Sequence, residues 1–483
     1  MPTRRAFLKT TALGAAAMAT TSPARRAAAA PKDKPNVLFI MVDDLGKEWV
    51  SCCGAEDIET PHLDKLAETG MRFVNGYSMA QCTPSRATLL TGQYPWRHGW
   101  VNHWDVPRWG AGCHFDPKHN LSFARVMKSA GYACAIAGKW QINDFRVQPD
   151  ILEAHGFDDW CMWTGGEGHN PPSHKRYWDP YIHTRAGSKT YKGKFGPDLY
   201  ADFLIDFMKH HRDRPMMLYY PMCLTHGPLV HTPAAPKARG KMDRHKAMVR
   251  YTDHLVGRLV KALDDLGLRD RTIVIFTTDN GSGRGITGRR NGRKVRGAKG
   301  RINEPGLCQP FLVNGPGLVP GGVVTEALTD FSDLLPTFAE LAGARLPEDY
   351  VCDGHSIAKV ILGQDKDGPR DWIMGMGHGP AVLDEKGVRP RLPYAERAVR
   401  DKRYKLWVQP DKPHRLYDLD EDPAETNDLY DSTAPQVVAA RKKLEAVVAS
   451  FPEKDARPRY DPTPPQPWDR KPRKRKRKRG KNR

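Results

Sequence analysis

Three segments of the 483-residue chain carry side chains whose types and spacing could do chemistry. Asp43-Asp44 and Asp279-Asn280 each close an apolar run. Each pair offers carboxylate or amide oxygens, and each alone is equally a turn after a strand. Brought together they make an oxygen-only site suited to a hard cation such as calcium or magnesium. The third segment is Gln81-Cys82-Thr83-Pro84-Ser85-Arg86-Ala87-Thr88-Leu89-Leu90-Thr91-Gly92. Pro84 stands where a first helical residue would, and Gly92 where the helix would stop. Cys82 then lies at a helix N-terminus, where backbone N–H groups and the dipole favour an anion. Arg86, one turn in, adds a fixed positive charge. This is an anion pocket with a nucleophile candidate inside it. One reading of Cys82 is a thiol of lowered pKa; the other is a buried structural cysteine.

Elements that would position these groups are visible as short apolar runs, each read as a buried strand of a parallel sheet. Residues 36–42 end in Asp43-Asp44, 132–137 in Gly138-Lys139, 216–222 lead to His226, and 272–278 end in Asp279-Asn280. Helical stretches at 61–70, 121–130, 197–211 and 243–267 lie between them. Strands alternating with helices predict an α/β fold with a mostly parallel sheet between helices. Ligands in such folds bind beyond the carboxyl ends of the strands, and all four runs end in polar or charged groups at that edge. Residues 324–343 read as a further helix entered through Thr329-Asp330. A small C-terminal α+β domain is expected over 376–452, with strands at 397–400 and 404–408 and an amphipathic helix at 434–450. From 453 to 483 Pro, Lys and Arg dominate, and a disordered basic tail is expected.

Composition narrows the class. No apolar run reaches the ~18 residues that span a bilayer. Residues 1–30 carry Arg4-Arg5, then Phe7-Leu8 and an Ala-rich run ending at Ala30. That matches a twin-arginine export signal, so the translocase is an expected partner and the location periplasmic or extracellular. The net charge is +20, but ten of those charges lie in 471–483 and five in 1–30, leaving about +5 for the body. The tail could bind nucleic acid or an anionic surface, or be a solvated extension. Nine cysteines without a C-x-x-C pair give no zinc spacing.

The run C-T-P-S-R-A-T-L-L-T-G resembles the sulfatase motif C-x-P-S-R-x-x-x-L-T-G. Further stretches resemble the same family: N-V-L-F-I-M-V-D-D-L-G at 36–46, A-G-K-W at 137–140, T-H-G-P at 225–228, T-T-D-N-G at 277–281 and R-G-A-K-G-R-I-N-E-P-G at 296–306. The resemblance implies an alkaline-phosphatase-like catalytic domain over 35–375 that hydrolyses sulfate esters. In that family the cysteine is oxidised by a formylglycine-generating enzyme, and the hydrated aldehyde is the nucleophile. Carried over by position, Asp43, Asp44, Asp279, Asn280 and the modified Cys82 hold one divalent cation, usually calcium, with magnesium as the other choice. Arg86 stabilises the hydrated aldehyde, Lys139 and Lys299 clamp sulfate oxygens, and His226 protonates the leaving oxygen or orients the sulfate. The expected substrate is a sulfated small molecule or glycan, a sulfated carbohydrate foremost.

Two positions depart from the family pattern. Gln141 replaces a histidine that contacts the hydrated aldehyde, and an amide cannot take that proton. Cys308 stands where the family often has arginine, and this reads as structural. His98 reads as a structural residue behind the site. The segment Trp160 to Tyr181, with Trp163, His169, His174, Lys175, Arg176 and Trp178, is either a sugar pocket or an exposed loop. Competing functions are a phosphoester or phosphonate hydrolase of the same fold and a non-catalytic polyanion-binding relative. Asn280 followed by Gly281, in place of an Asp-His pair, favours one metal over two.

Overall fold

A computed structural model describes residues 34–102, 112–168, 170–384 and 387–469. Residues 1–30, on which an export signal is expected, His169 and the basic run 471–483 lie outside the described residues. Twelve strands come first in the chain: β1 (Asn36–Val42), β2 (Met71–Tyr77), β3 (Ala133–Lys139), β4 (Asp159–Trp163), β5 (Tyr181–Thr184), β6 (Gly187–Thr190), β7 (Met216–Pro221), β8 (Thr272–Thr278), β9 (Thr287–Arg290), β10 (Arg293–Arg296), β11 (Cys308–Asn314) and β12 (Val323–Asp330). Ten of them form one sheet in the order β12-β2-β11-β8-β1-β7-β3-β4-β5-β6, and β9-β10 form a separate hairpin. The four runs read as strands are its adjacent parallel centre, β8-β1-β7-β3. They are buried throughout and mostly apolar because both faces are covered.

Alternation divides each central strand between two cores. Val37, Phe39 and Met41 pack with the helices Cys82–Thr91, Phe123–Ser129 and Leu334–Ala342. Leu38, Ile40 and Val42 pack with the helices Pro61–Glu68, Gly196–His210 and Gly240–Asp265. Burying each such side chain is worth ~1.5–3 kcal/mol, so a one-residue slip of β1 would exchange the faces of every contact. That register fixes the site. Val42 pairs with Thr278, so Asp43 and Asp279 leave the sheet side by side.

The stretch 324–343 is not one helix. Val323–Asp330 is a strand paired parallel to β2, and the helix begins only at Leu334. The β-branched Val323-Val324-Thr325 favour the strand. A capping box separates the two elements, the Asp330 carboxylate accepting from Ser332 N–H and Asp333 from Asp330 N–H.

The small domain follows. Strands β13 (Ile373–Met376), β14 (Ala381–Asp384), β15 (Gly387–Pro390), β16 (Arg397–Arg400), β17 (Tyr404–Val408) and β18 (Arg415–Asp418) precede the helix Pro435–Ala449. The sheet β13-β16-β17-β18 buries Val399, Leu406 and Leu416 against Val437, Ala440 and Leu444 of that helix. It joins the large domain where Ala80 N–H donates to the Met376 carbonyl at 2.9 Å.

Disorder from 453 onward does not hold through 469. The segment lies along the large domain as an ordered strap. Trp468 donates to Asp144 at 3.0 Å and carries the Arg146 guanidinium 3.7 Å above its ring. Gly99 and Gly112, both at positive φ, lie where a Cβ would strike the strap backbone at Arg457 and Thr463. The composition is too polar to form a core of its own, but it borrows partners from one. Asp455 accepts from Ala395 N–H and from the buried Arg397, each at 2.7 Å. Asp455→Ala therefore strands a buried guanidinium and is expected to lower the unfolding free energy by about 3 kcal/mol. A urea titration showing a loss below ~0.5 kcal/mol, the range of an exposed ion pair, would mean the strap adds no stability.

Candidate active site

The segment holding Cys82 becomes the helix Cys82–Thr91, capped by Gln81 and stopped by Gly92 at φ +63. It starts at Cys82, two residues before Pro84. Proline at the third position is tolerated because the first N–H groups of a helix have no partner within it. All ten residues are buried. A charged Arg86 survives there because Nη2 donates to Asp279 at 2.7 Å and Nη1 to the Lys139 carbonyl at 3.2 Å.

The predicted site residues converge. Cys82 Sγ lies 3.3 Å from Asp43 Oδ1 and 3.9 Å from Asp44 Oδ1, with the Lys299 ammonium 3.3 Å away. Lys139 pairs with Asp43 and Lys299 with Asp44, each at 2.6 Å. Asn280 donates to Asp44 at 2.7 Å. His226 Nε2 stands 3.7 Å from Asp44 Oδ2, while Nδ1 lies 2.8 Å from the Gly227 carbonyl. The Nδ1–H therefore donates to that carbonyl in the neutral ring. Asp44 takes φ +64, the turn that aims its carboxylate back at Cys82.

Whether a cation fits can be judged from the donors. One ligand atom each of Asp43, Asp44, Cys82 and His226 lies within 4.8 Å of the others. Asn280 Oδ1 is buried without a hydrogen-bond partner, an uncommon state that a cation would relieve. Asp279 stands beside this group, one oxygen held by Arg86 and the other accepting from Asp44 N–H at 3.3 Å. The oxygen donors suit a hard cation. Three carboxylates, Asp43, Asp44 and Asp279, face three cationic side chains, Arg86, Lys139 and Lys299, so their charges are close to balanced.

Burial and these charges pull in opposite directions. Burial alone would raise Asp43, yet Lys139, with His226, Arg86 and Lys299, holds it well below the usual carboxylate range. Burial and Asp43 push Asp279 up to about 6. Burial outweighs Asp43 and Asp44 at His226 and takes it down to about 4. For Cys82, burial with Asp279 and Asp43 pushes the thiol well up. Burial and these carboxylates therefore act against the thiolate form of an unmodified Cys82, while Lys139 and Lys299 act for it.

The remaining expectations separate cleanly. His98 is buried, Nε2 at Thr88 Oγ1 and Nδ1 accepting from Trp100 N–H, and it bonds to none of the site residues. Cys308 is structural, its Sγ 3.0 Å from the buried Lys47 ammonium, which supplies a cation close to where the family often has arginine. Gln141 is buried at φ +75, with Gly165 against its Cα. Trp160 and Trp163 are core residues rather than open sugar platforms, and Arg176 stacks 4.0 Å over Trp163. Sequence reading missed Tyr177, whose hydroxyl reaches the carbonyls of Cys223 at 2.6 Å and His226 at 2.5 Å and steadies the histidine loop. It also missed His378, which reaches Gln81 from the small domain. Neither carries a local motif.

A cysteine at a buried helix start, an acidic cluster and two lysines, gathered at the carboxyl edge of one mostly parallel α/β sheet, match the alkaline-phosphatase-like fold of sulfatase structures. Residues 35–344 match the Sulfatase family, and residues 298–450 match the family described as N-sulphoglucosamine sulphohydrolase, C-terminal. Arylsulfatase A of Bos taurus is 32% identical, covering 88% of this chain and 89% of that protein. N-acetylgalactosamine-6-sulfatase of Canis lupus familiaris is 32% identical over 70% of this chain and 67% of that one. The crystal structure of Ps i-CgsB in complex with k-i-k-neocarrahexaose shares the fold, with a TM-score of 0.72 at 24% identity over 89% of this chain and 95% of that one. The chain belongs to the sulfatase family. Its activity is the hydrolysis of sulfuric esters.

Proposed function

We propose that residue 82 works as formylglycine beside one divalent cation, and that the substrate is a sulfated carbohydrate met outside the cytoplasm. The observation that carries this reading is the environment of Cys82. At a buried helix start, Cys82 Sγ lies 3.3 Å from Asp43, 3.9 Å from Asp44 and 3.3 Å from the Lys299 ammonium, so side chain 82 faces cation-holding oxygens and an anion-binding lysine at once. The hydrated aldehyde of formylglycine supplies an oxygen nucleophile that needs no thiolate. The cation, calcium or magnesium, supplies neutralising charge for the sulfate oxygens and would be held by Asp43, Asp44, Asp279, Asn280 and side chain 82.

The chain's own residues do the rest. Lys139 and Lys299 place two ammonium groups against sulfate oxygens as charge shifts in the transition state. Arg86 fixes both Asp279 and the end of β3, so carboxylate and lysine stay in register. His226 keeps Nε2 free for proton movement while Gly227 fixes its other nitrogen. With His98 committed to Thr88 and Trp100, His226 is the histidine through which the proton route displaced by Gln141 runs. The names of the relatives, one acting on an amino-sugar sulfate and one bound to a neocarrahexaose, support a sulfated carbohydrate. Arg4-Arg5 support export, which Arg4→Lys with Arg5→Lys should block in cell fractionation.

The test combines mass and turnover. The peptide containing residue 82 should show formylglycine, and the modified protein should cycle many times per site. Gln141→His should keep or raise kcat, because the left-handed backbone at 141 accepts histidine. A modified protein that stops after one turnover, and resumes with Gln141→His, would contradict the route through His226.

A further inference from the structure

The hairpin β9-β10 is the most strongly charged exposed feature beside the site. No Asp or Glu occurs from 281 to 303, and eight Lys or Arg do. Arg284, Arg289, Arg293, Lys294, Arg296 and Arg301 are exposed. Among the described residues Glu56 is the carboxylate that pairs with this stretch's surface, taking Arg289 at 3.0 Å. No ion pair forms at Arg284, Arg293, Lys294, Arg296 or Arg301 among the described residues. Like charges gathered in this way repel one another and oppose folding, so this surface is held together at a cost.

The hairpin is anchored and continuous with the catalytic centre. Ala55 bridges Arg290, and Asn291 N–H donates to the Gly54 carbonyl at 3.1 Å, which ties it to the loop after Asp43-Asp44. Arg296 Nε donates to the Arg284 carbonyl and Arg284 Nε to the Lys299 carbonyl, each at 3.0 Å. Lys299 in turn reaches Cys82. A line of fixed cations therefore runs from the hairpin to the sulfate position.

We propose that β9-β10 is a docking surface for a sulfated polysaccharide, which seats further sulfate groups of the chain whose ester lies at residue 82. This rests on the sulfate-ester reading of the site and names its substrate as polymeric and polyanionic. A small aryl sulfate would not reach the hairpin. A polymer would, and its attraction would be long-ranged and salt-sensitive.

The test uses the full chain, Arg293→Glu with Lys294→Glu, and a milder Arg293→Gln with Lys294→Gln. Both positions are exposed and outside the catalytic groups, so p-nitrophenyl sulfate turnover should be unchanged in either variant. Dextran sulfate is the probe, read as inhibition of that turnover, which reports binding that reaches the site rather than binding elsewhere on the chain. At low salt the inhibitory concentration should rise about 10-fold or more for the glutamate pair and less for the glutamine pair. The difference should close at high salt, where charges are screened beyond ~3 Å at 1 M. An unchanged inhibitory concentration in the glutamate pair would overturn the proposal. So would duplex DNA that inhibits as strongly as dextran sulfate through the same residues, since the surface would then belong to nucleic acid. Wild-type protein inert toward p-nitrophenyl sulfate would remove the sulfate-ester reading instead. The hairpin would then be judged by fluorescence anisotropy of labelled dextran sulfate, with the same fold-change expected.

Discussion

Cys82→Ala is expected to lower kcat on an aryl sulfate by ~10⁵-fold or more, the scale of removing a nucleophile outright, while the fold is retained. The second half of that expectation follows from the packing. Cys82 Sγ belongs to none of the hydrophobic cores; it sits against Asp43, Asp44 and Lys299. Alanine keeps the helix start and removes a side chain that contributes to none of those cores. Urea midpoint and kcat measured on the same preparation check both halves. Turnover within ~100-fold of wild type would place the nucleophile elsewhere, since a general acid–base group alone is worth about that much.

Removal of divalent ions is expected to cost ~10³-fold or more in kcat, the equivalent of several kcal/mol of charge stabilisation. Lys139 and Lys299 pair with Asp43 and Asp44 at 2.6 Å, and removing the ion would leave those carboxylates no other cation to hold. A sulfate ester would then have to compete with two carboxylates for its own clamps. Asn280 Oδ1 would also remain buried without a partner. Readdition of calcium or magnesium should restore activity and raise the melting temperature, by about 2.7 kcal/mol of stability at a hundred times the dissociation constant. The ion that does so at lower concentration is the resident one. Full activity in protein shown by elemental analysis to be free of divalent metal would refute the cation's role.

Much of the gathering of the candidate site residues was legible because each part rests on local rules. Continuous apolar runs marked β1, β3, β7 and β8 as doubly buried, and each ended in the polar group that the structure gathers. The motif around Cys82 specified a helix start, although proline entered it at the third residue rather than the first. What escaped depended on partners distant in sequence. The strand Val323–Asp330 is set by its pairing with β2. Its apolar residues alone resembled a helical face. The strap up to 469 is ordered by Asp144, Arg146 and Arg397, which no feature of a Pro-rich segment announces. Lys47 reaches Cys308 across 261 positions. Tyr177 and His378 serve the site through backbone and side-chain contacts that leave no motif.

The central claim is that this site breaks sulfate esters. Its most direct test is kcat/KM for p-nitrophenyl sulfate against p-nitrophenyl phosphate, on protein whose residue 82 is confirmed as formylglycine and whose cation is restored. One cation, two lysines, and Asn280 in place of the Asp-His pair of two-metal relatives predict that sulfate is preferred by ~10²-fold or more, about 2.7 kcal/mol of transition-state discrimination. A preference for phosphate, or no turnover of either ester by correctly modified, metal-loaded protein, would contradict it.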